Sequence, residues 1–223
     1  MRSLKRKILP FALILLVAGC ASEAGDSGET EAEQQAPAGP DPKPIVVMET
    51  NWGTIAMELD REKAPKSVAN FEVHVRSGFY DGLIFHRVMK GILIQSGRLT
   101  AEYAPRSSTA AFLDNEGDNG LLNVRGAVGM ARGADPNSAK SEFFINLKDN
   151  KPLDTTEEKW GYAVFGQVIS GMDVVDRIGE VETRQRGTRE DVPIDPPIVI
   201  DRAYLTTRAE WEAANPAAEG TAG

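Results

Sequence analysis

The chain has 223 residues, 26% of them charged and 41% hydrophobic, with a formal net charge of −8. That is enough for one sizeable soluble domain with extensions, and the acidic balance argues against general affinity for nucleic acid or anionic headgroups. A single cysteine, Cys20, leaves no internal disulfide, and His74 and His86 have no partner ligands at metal-like spacing, so no zinc site is expected.

The first residues stand apart. Arg2, Lys5, Arg6 and Lys7 form a basic start, and residues 8–19 are an apolar run too short to span a bilayer comfortably. The run ends in Leu16-Val17-Ala18-Gly19-Cys20, which resembles a bacterial lipobox. The resemblance implies that residues 1–19 are a lipoprotein signal peptide and that Cys20 carries the lipid. Cleavage there would take four of the 25 basic residues and none of the 33 acidic ones, so the mature charge would be about −12. The lipid, not a basic patch, would then hold the protein to a membrane, and two acyl chains suffice where one does not. Residues 20–44 follow as an acidic stretch rich in Ala, Gly, Pro and Ser, which reads as a disordered tether.

Folding is expected from Ile45. Residues 45–50 and 54–59 are β-favouring runs around Asn51-Trp52-Gly53, a hairpin pattern. Pro65 suits the first turn of a helix, Ala64, Val68, Phe71 and Val75 fall on one helical face, and Gly78 can close it. Short strand-like runs recur at 83–88, 92–96, 127–131, 142–147, 163–169 and 198–205, punctuated by Gly, Asn, Asp and Pro. A second helix fits residues 172–178, closed by Gly179. Many short strands with two helices predict a mainly β fold, a closed antiparallel barrel with helical caps. The arginines 184, 186 and 189 read as a solvated loop, and residues 207–223 as a frayed, disordered tail.

Nine short motifs carry the functional reading. They are Asn70-Phe71, Ser77-Gly78-Phe79-Tyr80, Phe85-His86-Arg87-Val88 with Gln95, Arg125-Gly126, Met130-Ala131-Arg132, Phe143-Phe144-Ile145-Asn146, Val164-Phe165-Gly166 and Gly171-Met172-Asp173-Val174-Val175. In this order they resemble the cyclophilin-type peptidyl-prolyl cis-trans isomerases, bacterial branch, over residues 45–206. The resemblance implies a closed eight-stranded antiparallel β-barrel capped by two α-helices, and catalysis of rotation about X-Pro bonds, a reaction that needs no metal, nucleophile or cofactor. It implies that Arg87 is the donor to the twisted amide, that Gln95 bonds the substrate backbone and that Phe144 walls the proline pocket. Ile92 and Leu93 would floor that pocket, Ala131 and Arg132 would align the peptide, Glu142 would lie beside it, and Leu153 and Tyr162 would form its rim. His86 is expected to be structural, because no proton is transferred.

Four positions depart from the family pattern. Ile92-Leu93 stands for Phe-Met, Glu142 for Gln, Pro152 for a rim aromatic, and Ser96-Gly97 for Gly-Gly. Fewer aromatic faces imply an altered peptide preference and weak cyclosporin binding. An ionised Glu142 only accepts hydrogen bonds, so near Arg87 it would compete for the guanidinium. The leading expectation is a monomeric, lipid-anchored isomerase of the bacterial cell envelope acting on proline-containing exported polypeptides, on the periplasmic face of the outer membrane in a two-membrane cell and otherwise on the outer face of the cytoplasmic membrane. The alternatives are a peptide-binding or chaperone module of the same fold with little turnover and, more remotely, a structural envelope lipoprotein.

Overall fold

The computed structural model of the chain describes residues 41–187, 189–193 and 196–216. The expected signal peptide, the lipidated Cys20, most of the tether and the end of the tail lie outside these residues. Among the described residues ten strands run in chain order: β1 Ile45–Thr50, β2 Gly53–Leu59, β3 Arg87–Met89, β4 Leu93–Ser96, β5 Ala127–Met130, β6 Phe143–Asn146, β7 Val164–Ser170, β8 Thr183–Arg186, β9 Arg189–Pro193 and β10 Ile200–Thr206. The helices are α1 Pro65–Arg76, α2 Met172–Gly179 and α3 Arg208–Ala214, with a 3-10 turn at Lys151–Leu153.

Eight strands form one antiparallel sheet in the order β10-β1-β2-β7-β5-β6-β4-β3, and β8-β9 is a separate hairpin. The expected closed barrel is therefore corrected to an open sheet, because no ladder joins the end strands β3 and β10. Residues 83–85, expected to extend β3, instead make irregular contacts on two sides. Ile84 N–H donates to Leu99 and Phe85 N–H to Ile198, at 2.9 and 3.0 Å, and Ile84 bridges Val199. These bonds satisfy the backbone without a continuous ladder.

Alternation along the strands places the core. Val46 and Met48 of β1, Ile55 and Met57 of β2, Ile94, Val128, Phe143 and Ile145 point into one buried cluster. Helix α1 adds Ala64, Val68, Phe71 and Val75, as its spacing predicts, and α2 adds Val174, Val175 and Ile178. Phe71, Tyr80 and Phe143 meet with ring centres 5.0 to 5.5 Å apart, and the Tyr80 hydroxyl donates to the Ser141 carbonyl at 3.0 Å.

Among the described residues three helices stand where two were expected, because the tail is not frayed at its start. Thr207 and Glu210 form a reciprocal capping box, and Trp211 is buried against Ile45, Val47 and Ala56. This second small cluster covers the outer face of β1, which is why residues 45–48 are apolar at every position. The end of the tether is also engaged: Pro42 and Pro44 carbonyls accept from Arg61 and Leu59, and Lys43 pairs with Asp60.

Candidate active site

The site begins with strand register. Arg87 on β3 lies directly opposite Gln95 on β4, Gln95 opposite Phe144 on β6, and Phe144 opposite Gly129 on β5. Directly opposed residues share a face, so Arg87, Gln95 and Phe144 form one row across three strands, facing away from the core side chains Val88, Ile94, Phe143 and Ile145. Gly129 ends the row for a steric reason. A Cβ there would meet the Phe144 ring at 2.4 Å, so the ring lies against bare backbone.

Phe144 is only 2% exposed and meets Tyr162 edge-on with ring centres 5.7 Å apart. Arg132 lies over the other part of this stack, its guanidinium carbon 4.6 Å from the Tyr162 ring centre, and donates to the Gly133, Trp160 and Gly161 carbonyls. Ala131 N–H donates to the Glu142 carbonyl at 2.9 Å, extending the β5-β6 pairing by one residue.

A buried amide network holds the opposite rim. Asn146 Nδ2 donates to Asn123 Oδ1 and the Ala127 carbonyl, while Asn150 Nδ2 donates to Asn146 Oδ1 and the Ile92 carbonyl. This ties the turn bearing Ile92 to the 3-10 turn bearing Leu153, and the Leu153 carbonyl accepts from Tyr162 N–H at 2.9 Å. Ile92, Leu153 and Tyr162 are half-buried, whereas Leu93 is buried on the strand. Ser96 spends its hydroxyl on the Ile84 carbonyl at 2.9 Å. Gly97, at φ 99°, passes so close to Ser141 that a Cβ would meet its carbonyl at 2.4 Å.

Glu142 does not reach Arg87, against the expected competition. Its Oε2 accepts from Gln95 Nε2 at 2.9 Å and lies 3.3 Å from His86 Nε2, while Oε1 is 3.5 Å from Arg98. Because a carboxylate only accepts, this contact fixes the Gln95 amide with nitrogen toward Glu142 and leaves its carbonyl oxygen to accept elsewhere. Burial pushes the Glu142 carboxyl up, but His86, Arg98 and Gln95 together hold it below the usual range, so it is ionised at neutral pH. His86 is buried with Nε2 toward Glu142, and its Nδ1 has no partner among the described residues.

The acid at Arg87 is Asp191, which the sequence reading missed. Its Oδ2 lies 3.6 Å from Arg87 Nε, brought from β9 of the hairpin read as a loop. Gly129, Arg98 and Lys140 were also missed. A cavity shares Gln95, Ala131, Arg132 and Glu142 with the predicted site and leaves out Arg87 and Phe144, so it lies beside the row.

The family model for cyclophilin type peptidyl-prolyl cis-trans isomerases matches residues 45–204. Peptidyl-prolyl cis-trans isomerase A of Dickeya dadantii is 46% identical over 160 residues, 72% of this chain and 83% of that protein. Peptidyl-prolyl cis-trans isomerase B of Escherichia coli is 42% identical over 158 residues, 70% of this chain and 96% of its own. A crystal structure of a Cryptosporidium parvum cyclophilin-type isomerase superposes with a TM-score of 0.61 at 27% identity, covering 74% of this chain and 98% of that one. The chain belongs to the cyclophilin-type peptidyl-prolyl cis-trans isomerases. It is accordingly an enzyme, and isomerisation of peptidyl-prolyl bonds is its activity.

Proposed function

We propose that the Arg87-Gln95-Phe144 row is the catalytic surface, and that it acts on proline-containing segments of exported proteins from a lipid anchor at Cys20. The barrier to rotation is about 20 kcal/mol because amide resonance must be broken, and uncatalysed exchange takes tens to hundreds of seconds. A catalyst needs only to bind the twisted amide better than the planar one. The register of the row carries this reading: a permanently charged planar donor and an amide stand beside an apolar ring on one face.

Arg87 donates to the prolyl amide as its nitrogen loses conjugation and its lone pair becomes localised. Gln95, held by Glu142, accepts from the substrate backbone. Phe144, Leu93 and Ile92 receive the ring, with Leu153 and Tyr162 at the rim, and Ala131 and Arg132 align the flanking chain. The protein works as a monomer on the outer side of the cytoplasmic membrane or, where a second membrane exists, on the periplasmic face of the outer one. The apolar run ending in Gly19-Cys20 supports the anchor. Labelled fatty acid incorporated by the full chain and lost in Cys20→Ala tests it.

For the chemistry, Arg87→Ala should lower kcat/KM on a proline peptide by 10²- to 10³-fold, roughly the effect of removing one transition-state donor. Full activity in that variant would sink the mechanism. The second reading, a peptide-binding module with little turnover, is favoured by the near-complete burial of Phe144 and the Asp191 contact to Arg87. Tight peptide binding by the wild-type chain without Arg87-dependent exchange would select it.

A further inference from the structure

The cavity beside the row has about 470 Å³ of volume and an unusual wall for an acidic protein. Four cationic side chains, Arg98, Arg106, Lys140 and Arg132, line it against one carboxylate, Glu142. Arg98 shares that carboxylate, but at 3.5 Å, with its own side chain half exposed. Glu142 is already engaged by Gln95 and His86. Arg106 donates to the Phe79 and Asp81 carbonyls, and Arg132 to three others, contacts that orient the guanidiniums without cancelling their charge. Glu102 lies near enough to Arg106 for their charges to interact. Lys140 Nζ sits 4.4 Å from the centre of the exposed Phe112 ring. Among the described residues, Arg106, Arg132 and Lys140 form no ion pair. Cationic walls of low polarisability concentrate the field inside a cleft, even where the whole protein carries the opposite sign.

We propose that this cavity is a specificity pocket for an acidic side chain, Asp or Glu, of the same polypeptide whose proline lies on the Arg87-Gln95-Phe144 row. The proposal rests on that row being the catalytic surface. Its placement follows from Gln95, Ala131, Arg132 and Glu142, which belong to both the row's surroundings and the cavity wall. An extended chain advances about 3.3 to 3.6 Å per residue, so a side chain within roughly three residues of the proline reaches the cavity. Exposed ion pairs are individually weak, so two or three of them together amount to roughly a tenfold preference.

The test uses the full chain and peptides amidated at the C-terminus, so that only a side-chain carboxylate can answer. Each peptide has one proline, with Ala, Glu or Lys at one position from three before to three after it. Exchange is read by NMR, and affinity by titration on the same samples. At one or more positions Glu should exceed Lys about tenfold in kcat/KM and in affinity, and the ratio should fall toward unity at high salt. The double variant Arg98→Gln/Lys140→Gln should bring the ratio below about threefold. The Ala peptides serve as its internal reference, and tryptophan fluorescence checks that it is folded. A wild-type ratio of one or less at every position overturns the proposal, as does a preference that the double variant leaves intact. If no peptide is turned over, the catalytic reading of the row fails, and the affinity ratio alone decides the cavity.

Discussion

The carboxylate of Asp191 stands 3.6 Å from Nε of Arg87, so the guanidinium of the candidate donor already faces an anion from a neighbouring hairpin. Asp191 has φ 57°, a left-handed backbone that Asn adopts as readily as Asp, so Asp191→Asn removes the charge with little backbone strain. The side chains are 41% and 36% exposed, which keeps the pair weak. The variant should raise kcat/KM about twofold by freeing the guanidinium for the substrate, with a gain that shrinks as salt screens the wild-type pair. NMR exchange at two ionic strengths reads both effects, and a fall in activity would recast Asp191 as a residue that positions Arg87.

Gly129 makes the second prediction. Since a Cβ at this position would meet the Phe144 ring at 2.4 Å, Gly129→Ala must push the ring out of its place in the row. Kinetics should show kcat/KM lowered at least tenfold, and denaturant titration a stability loss of about 1 to 3 kcal/mol, the usual range for overpacking. A structure of the variant with the ring unmoved and activity intact would contradict the assignment.

Glu142 couples the site to pH. Its carboxyl is held below its unfolded value near 4.5, so the folded protein keeps it ionised where the unfolded chain takes up a proton. The stability it contributes is full above about pH 4.5 and is lost as pH falls through the lower folded value. Urea titrations between pH 6 and 3 should therefore show a steeper loss for wild type than for Glu142→Gln. Parallel curves would remove Glu142 from the list of contributors to acid lability.

Trp211 concerns stability alone. Removing its ring should expose Ile45, Val47 and Ala56 and lower the unfolding free energy by about 3 kcal/mol, as for other buried aromatic truncations. Turnover by the fraction that remains folded should not change, since α3 lies on the outer face of β1, away from the row.

Periodicity was a good guide where one face is buried and the other is not. The face of α1 set by Ala64, Val68, Phe71 and Val75, and the helix starting at Met172, appear within a residue of their expected bounds. The same reasoning overran at residues 83–85, where apolar side chains are buried but the backbone bonds alternate between two neighbours. It failed at β8 and β9 because Thr183, Arg184, Gln185 and Arg186 are all exposed and leave no hydrophobic pattern to read. Two signals for α3 were present in the chain: the Thr207 to Glu210 spacing of a capping box, and an unbroken apolar run at residues 45–48 that requires cover on both faces. The motif residues Arg87, Gln95 and Phe144 could be chosen from sequence, but their register could not. Nor could Asp191, which is remote in the chain, nor the partner of Glu142, because side-chain pairing across strands depends on tertiary placement.

The row has a temporal consequence. Its three members sit on three strands with Gly129 of β5 under the ring, and Gln95 and Phe144 are separated in the chain by the whole of β5 and its flanking loops. A slip of one residue in any of these pairings would turn a member of the row into the core. No fragment ending before Phe144 holds both the donor and the wall, and no chain lacking the β5-β6 pairing holds the ring against Gly129. With the row as the proposed catalytic surface, the appearance of activity during refolding would report completion of this long-range pairing.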